Sequence, residues 1–402
     1  MSESGVLMEL VYKKETTWGV PAGPAGGQKL PRVSVDLDLD KNTYQSKRIK
    51  PSMQVSDFRH GIRKVAGNYT DELACGTFKD FIAAGLRQAW QTAPTTGAIT
   101  TVTASATAPH FVRSAGSFIT DGFRVGQIVA WTGWATTGTA NNAKYFIITT
   151  LTATQMTVID LALNTSPVAA KAAGDSVTCT LAGRQTWMPQ TGHTADAFDI
   201  ERRYLTLNKS ELLTGCMVDT LDFDVKPDDM VGISIGFKGK DRIRQSGLYY
   251  TAPTAADTNR TFGSAIGIIR AGGTTLAILT SQKISIKGAL QENNPILTST
   301  ISEIFRGRLT AGGQFDAYLA DTTFRDAFQD ETEMSMQFYL SADSGVSAAT
   351  MGFNLPRIKL GKVPIQDSES MLVQNVPFTA LELDTGTGAD QTTIAVQDTT
   401  LP

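Results

Sequence analysis

A gapless internal repeat is the feature that most narrows what this chain can fold into, because two copies of one unit in a single polypeptide should build two related bodies. Residues 56–80 align with residues 302–326 at a constant offset of 246, giving eight identities in 25 positions. The identical pairs are Ser56/Ser302, Gly61/Gly307, Gly67/Gly313, Leu73/Leu319, Ala74/Ala320, Thr77/Thr323, Phe78/Phe324 and Asp80/Asp326. Conservative pairs accompany them: Val55/Ile301, Asp57/Glu303, Asn68/Gln314, Tyr69/Phe315 and Lys79/Arg325. A second block aligns at an offset of 137, setting Gly215 on Gly352, Val218 on Leu355, Leu221 on Ile358, Phe223 on Leu360 and Pro227 on Pro364. The two offsets differ by 109, so the first copy should carry an insertion of about that length between Asp80 and Gly215.

Composition locates the insertion. Residues 94–183 hold seven charged residues (Arg113, Asp121, Arg124, Lys144, Asp160, Lys171, Asp175) of the 75 in the chain, in a background of Thr, Ala and Gly. Short β-branched and aromatic runs at 127–131, 145–150 and 156–159 alternate with turn-rich segments, the pattern of a small all-β domain. The expected organisation is therefore a first unit from residues 1–93 and 184–245, an inserted β domain at 94–183, and a second unit at 250–395.

Each unit has the same grammar. An alternating strand opens it, at 33–39 in the first copy and 283–287 in the second, with apolar side chains on one face. A long polar loop follows, at 40–61 and 291–307. A second alternating strand, 67–74 or 313–320, leads to a helix for which Thr77 and Thr323 are expected N-caps. The first helix, 78–90, puts Phe78, Ile82, Leu86 and Trp90 on one stripe, and the second begins Phe324-Arg-Asp-Ala-Phe328. Further strands are expected at 205–207, 218–225 and 231–237, and at 334–340, 353–360 and 371–378. The fold class is mainly β: two tandem β-sandwich units, each with one α-helix, plus the small inserted β domain.

The chemistry of an enzyme is hard to find. Gly232-Ile-Ser-Ile-Gly236 matches the nucleophile elbow of α/β-hydrolases, whose triad order is Ser, acid, His. Here His60, His110 and His193 all precede Ser234, and the alternation of Val231, Ile233, Ile235 and Phe237 reads as a plain strand. A Ser-His-Asp set in another order would have to be assembled from three scattered histidines. His60 and His193 read as surface or interface residues, and His110 as the start of a strand in the insert. The pairs Asp228-Asp229 and Asp330-Glu331 read as solvated turns or helix ends. Lys238-Gly-Lys240 lacks the rest of a phosphate-binding loop. Cys75, Cys179 and Cys216 are odd in number and widely spaced, so neither a disulfide framework nor a zinc site is expected. No catalytic, metal or cofactor residue is nominated.

Partners are constrained as well. With 36 basic and 39 acidic residues the net charge is −3, which suits a polyanion poorly. The basic run Lys47-Arg-Ile-Lys50 has only Tyr44 and Phe58 near it and reads as a protein-contact loop. The first twenty residues lack the apolar core of a leader, and no stretch reaches the ~18 apolar residues of a membrane helix, so synthesis in a cytoplasm without membrane contact is expected.

At this point the residues carry a resemblance. The run from Ser46 through Tyr69, then Glu72-Leu73, Phe78-Lys-Asp-Phe81 and Trp90, resembles the N-terminal part of siphophage tail tube (major tail) proteins. So does the stretch Phe198-Asp-Ile-Glu-Arg-Arg203, Leu213-Thr-Gly-Cys-Met-Val218, Val225-Lys-Pro227 and Phe237-Lys-Gly-Lys240. It covers most of 30–90 and 196–242 and, more faintly, 280–380. The resemblance implies a structural subunit of a non-contractile tail tube, forming stacked rings around a channel through which double-stranded DNA passes during ejection. It implies tape-measure and terminator proteins as tail partners.

By the same analogy the long loops would contact the next ring, through Lys47, Arg48, Lys50, Asp57, Arg59, His60, Glu303 and Arg306. The helices, with Phe78, Ile82, Leu86, Trp90, Phe324 and Phe328, would pack between units within a ring. The insert, which many members lack, would face outward. Duplication lets two units replace two subunits, so a homotrimer with pseudo-sixfold symmetry is expected, with a homohexamer as the alternative. Rival functions are a β-rich adhesin or carbohydrate-binding virion protein, and a single-ring terminator or baseplate protein.

Overall fold

The computed structural model describes residues 4–142, 144–164, 166–264, 266–276, 279–366 and 371–402. Alternating apolar residues produce long antiparallel strands, and eight of them form one continuous run. In chain order these are β1 (Asp38–Gln45), β2 (Phe58–Glu72), β3 (Lys209–Val225), β4 (Gly232–Gly239), β5 (Leu279–Lys287), β6 (Thr310–Tyr318), β7 (Thr350–Leu360) and β8 (Val373–Leu381). The first four neighbour one another in the order β1–β2–β4–β3. The last four repeat it as β5–β6–β8–β7. β3 and β5 then pair with each other, so the two halves join edge to edge.

One face of this sheet is apolar. Val65 and Tyr69 on β2, Ile233 and Ile235 on β4, Leu221 and Phe223 on β3, and Ile284 and Ile286 on β5 share a core with Phe315, Val376 and Phe378. That core runs across the join, where the Phe223 and Phe353 rings lie 4.8 Å apart. α1 (Lys79–Leu86) and α2 (Thr323–Gln329) cover the same face of the first and second halves. The opposite face is polar: Asp38 and Asp40 on β1, Asn68 and Thr70 on β2, Ser234 on β4, Asp222 and Asp224 on β3, Lys283 and Lys287 on β5, Gln314 on β6. The period of two that writes this pattern into the sequence thus separates core from solvent.

The hydrogen-bonded partners test the repeat. Gly67 lies opposite Phe237 and Gly313 opposite Phe378, in keeping with the offset of 246. The second alignment is corrected. Val218 faces Phe237, and Leu360 faces Phe378, so the counterpart of Val218 is Leu360 at an offset of 142, not Leu355 at 137. A bulge agrees with this: Phe198 and Ile200 face Cys216 and Leu213, as Met334 and Met336 face Ile358 and Leu355. Strands of similar hydrophobicity slide past one another in an alignment without changing composition, and only the ladder fixes their register.

Other expectations shift locally. The loop expected at 40–61 is shorter than expected, because β1 runs to Gln45 and β2 begins at Phe58, leaving 46–57 as the loop. The segment 205–207 is a turn between Phe198–Tyr204 and β3. Thr77 is not an N-cap: α1 is preceded by Phe78 without a side-chain cap, and the Thr77 hydroxyl bonds Asp257 instead. Thr323 is the first residue of α2, and Thr322 occupies the cap position while bonding the Asp326 side chain. α1 ends at Leu86 because Arg87 turns left-handed, so Trp90 lies beyond it.

Residues 102–181 contribute a separate six-stranded sheet, in the order Thr178–Leu181, Ile128–Thr132, Tyr145–Leu151, Gln155–Asp160, His110–Arg113, Val102–Ser105. One of its faces has its own core around Phe111, Phe118, Trp131 and Phe146. The other packs Ile128 and Ile147 on Ile268 and Tyr339 of the second half. There the Tyr339 hydroxyl donates to the Gly126 carbonyl at 2.7 Å, and the Gln397 amide to the Ile128 and Ala182 carbonyls at 2.7 and 2.8 Å. The strand Ala395–Asp398 laces the molecule, pairing with Arg184–Trp187 on one side and with β7 on the other. Among the described residues no helix is long and apolar enough to cross a membrane.

Candidate functional site

The most elaborate polar construction is the seam between the halves. Six residue pairs join β3 to β5, from Thr220 opposite Lys287 to Val225 opposite Gln282. Beyond them the Gly288 amide donates to the Asp219 carbonyl at 2.6 Å, and the Leu290 amide to the Asp219 carboxylate at 2.8 Å. Lys238 bridges the same corner, 3.0 Å from Asp219 and 2.6 Å from the Leu290 carbonyl.

α1 contributes the lock. Gly85 meets Leu221 so closely that a Cβ there would overlap the leucine side chain, and this brings the helix down onto β3. The left-handed residue that ends the helix, Arg87, sends its guanidinium across the seam to the Gly288 and Gly307 carbonyls, at 2.6 and 2.8 Å. Burial, with the nearby Arg306 charge, lowers the Arg87 pKa from its ordinary value. Sequence reasoning passed over Arg87, since an arginine at a helix C-terminus is ordinary for the helix dipole and carries no mark of a long-range contact.

Among the described residues, the outer edges of the eight-stranded run lack such closure. β1 pairs with β2, and β7 beyond Ile358 pairs with β8. Next to the β7 end, Thr322, Arg325, Phe328, Lys362 and Val363 line a groove.

Two hairpins project from the sheet. The first is the β1–β2 arm, whose tip exposes Ile49 fully and leaves Met53 96% and Val55 64% exposed. The second joins Leu290–Asn293 to Glu303–Arg306, and its tip leaves Ile296 and Leu297 fully or almost fully exposed. Both arms therefore carry exposed apolar side chains at their tips. Lys47, Arg48 and Lys50 are exposed at the first tip. Asp57 pairs with Arg59 at 3.0 Å, and Arg59 and His60 lie on β2 itself, with His60 edge-on to Phe58. In the second hairpin Glu303 is exposed, while Arg306 is turned back to the His193 and Thr194 carbonyls.

The helix residues divide. Phe78, Ile82, Leu86 and Phe324 are buried in the chain's own core. Trp90 is partly buried, with its indole N–H on the Lys79 carbonyl at 2.9 Å, and Phe328 remains 42% exposed. The first three therefore hold α1 to its sheet, and Phe328 faces outward.

Ser234 sits in mid-strand on β4, between Thr70 of β2 and Asp222 of β3. Cys75, Cys179 and Cys216 are each buried and unpaired, and among the described residues no cluster of His, Cys, Asp and Glu is arranged to hold a metal. The strongest carboxyl perturbation lies in the first half. Burial, with the neighbouring Glu15, pushes Asp199 up to about 8, while its carboxylate accepts from the Ala22 amide and the Tyr250 hydroxyl. Glu15 is spent on the Gly19 and Gly215 amides at 2.6 Å each, so this cluster pins the N-terminal segment to β3.

No curated protein matches the chain. A family model described as phage tail tube protein matches residues 5–380, nearly its whole length. With the mainly β fold, the repeated strand order and the two exposed arms already described, that match means that the chain belongs to the phage tail tube protein family, structural components of the virion tail.

Proposed function

We propose that three copies of this chain close into a ring and that rings stack through the two arms into a tube that conducts double-stranded DNA. The observation that carries this is the seam. One chain already joins two four-stranded halves of identical strand order, and among the described residues it leaves the outer edge of β1 unpaired at one end and that of β7, beyond Ile358, at the other. Those edges are the counterparts of β5 and β3, the strands that the seam pairs. A heterologous contact of this kind closes when the rotation allows, and three chains would supply twenty-four strands.

At a strand spacing of ~4.8 Å and a tilt of ~40°, such a barrel is roughly 50 Å across its backbone, wider than a DNA duplex. Barrels of 16–18 strands already leave an aqueous channel. The polar face of the sheet would line the opening. There Asp222 and Asp224 offset Lys283 and Lys287 beside uncharged Asn68, Thr70, Ser234 and Gln314. A wall without a basic surplus avoids the counterion-release binding that would hold DNA back.

The insert would stand outside the wall, on the second half, once per chain. Exposed apolar tips on both arms give each half one stacking contact, and terminator and tape-measure proteins would meet the ends and the channel. Electron microscopy of the purified protein, averaged end-on, tests this. Three outer densities around a sixfold-like inner wall are expected, and six would mean six chains and remove the argument from duplication.

A further inference from the structure

The two edges left open by the chain carry opposite charge, and both differ from the seam strands they correspond to. The segment 34–45, which includes β1, presents Asp36, Asp38 and Asp40 on the polar face, all exposed, between inward-facing Leu37 and Leu39. The β7 end presents Arg357 and Lys359, opposite Leu381 and Thr379, then the exposed Lys362, while Ile358, Leu360 and Val363 are buried. Inside the seam the signs are the other way round. β3 is the acidic strand, with Asp222 and Asp224, and β5 the basic one, with Lys283 and Lys287; Asp224 lies directly opposite Lys283.

We propose that the acidic β1 edge of one copy pairs with the basic β7 edge of the next, and that the reversed polarity fixes the order of halves around the ring. The inference rests on the ring reading above. The ladder supplies the register. The shared partners of β2 and β6 put Asp38 where Ser285 stands and Asp40 where Lys287 stands. The bulge and the β4 and β8 partners put Lys362 where Thr220 stands and Val363 where Leu221 stands. Since Thr220 faces Lys287 and Leu221 faces Ile286, Lys362 would face Asp40 and Val363 would face Leu39.

The same register makes wrong order costly. β1 against β3 would set Asp38 on Asp222 and Asp36 on Asp224, and β7 against β5 would set Lys362 on Lys287; like charges directly opposite destabilise a strand pair. Within one chain these groups already have partners. Asp38 lies 3.3 Å from Arg242, Asp40 3.8 Å from Lys64, Arg357 2.7 Å and Lys359 3.6 Å from Glu333. The Leu37 carbonyl receives the Arg202 guanidinium. Half-exposed pairs of this kind contribute little and exchange readily. They also keep a long edge from pairing at random, a common protection of free strands. The groove beside Lys362 and Val363, with Phe328 on its rim, is where the incoming Leu39 side would settle, as Ile286 settles at the seam.

Two sets of variants test the inference in the full chain. The first joins Asp40→Cys with Lys362→Cys, against a control of Thr220→Cys with Lys287→Cys. The control should close a disulfide within one chain, and the first pair a disulfide between chains that stops at the closed oligomer in oxidised rings. The second set reverses the two charges that would face each other, as Asp40→Lys or as Lys362→Glu. Either alone should lower ring yield by about tenfold, and the two combined should recover most of it. Rings that survive both single-edge reversals, or that form no interchain disulfide, overturn the inference while leaving the ring reading intact. Wild-type protein that forms no rings overturns both.

Discussion

α1 and α2 occupy equivalent places in the two halves, yet one is finished and the other is not. In the first half the helix buries Phe81, Ile82, Ala83, Gly85 and Leu86, and its capping Arg87 holds the Gly288 and Gly307 carbonyls of the second half. In the second half the helix buries only Phe324 and Ala327, and Phe328 stays exposed beside an open groove. α1 sits at a seam whose partner is always present in the same chain. α2 sits beside the edge that faces outward. On the ring reading, the difference means that a duplicated unit is completed where its neighbour is covalent and left open where its neighbour would be another molecule.

The comparison can be broken most forcefully at the glycines the halves share. Gly67 has a φ of +146°, with the Leu37 backbone where a Cβ would go, and a Cβ on Gly313 would fall on the Lys283 carbonyl. Each is a close approach between neighbouring strands that backbone cannot easily relieve. Gly67→Ala and Gly313→Ala should each cost about 3 kcal/mol or more, read as a loss of soluble protein or a lower denaturant midpoint. A variant of either that melts with the wild type would show that the halves are not built on the same contact.

Next comes the seam lock. Arg87→Met keeps much of the packing but leaves two carbonyls without their donor, so a loss of about 2–3 kcal/mol in thermal or urea unfolding is expected. The second half has no such lock beside α2: Glu333→Gln breaks only the half-exposed pairs with Arg357 and Lys359, and should move stability far less than Arg87→Met.

A further effect separates the halves by pH. Asp199 in the first half binds its proton up to about pH 8 when folded, through burial and Glu15, but releases it near the ordinary carboxylate value when unfolded. The folded state therefore holds the extra proton between those values. Stability is full below about pH 4 as far as this group is concerned, and declines as pH rises through 8. The melting temperature should fall between pH 6 and pH 9, and Asp199→Asn should flatten that slope.

The smallest change in stability, with a large one in assembly, is expected at the arms. Ile49→Ser with Met53→Ser should leave unfolding within about 0.5 kcal/mol of wild type, because both side chains are exposed. If the arms stack rings, the same variant should yield single rings by electron microscopy. Full-length tubes would remove the arms from that role.

What the sequence determined by itself was the repeat, the alternation that separates core from solvent, and several but not all of the insert's six strands. All three are local or self-similar patterns that need no partner to be visible. Gly67 and Gly313 are the clearest case, identical in the repeat and both explained by a neighbouring strand that leaves no room for a Cβ. Thr77 and Thr323 are the counterexample: their identity looked like capping, but the helices take different caps and Thr77 is used by Asp257.

The tertiary structure alone decided the rest. It set the register of β7 five residues away from the best sequence alignment, because hydrogen-bonded partners and bulges, not composition, fix how strands slide. It brought Arg87 to carbonyls more than 200 residues away. It put the insert on the second half although the chain enters it from the first, and used Ala395–Asp398 to bind the two together. Contacts of that range leave no periodic trace in either partner, since each is one ordinary residue until the fold sets it opposite the other.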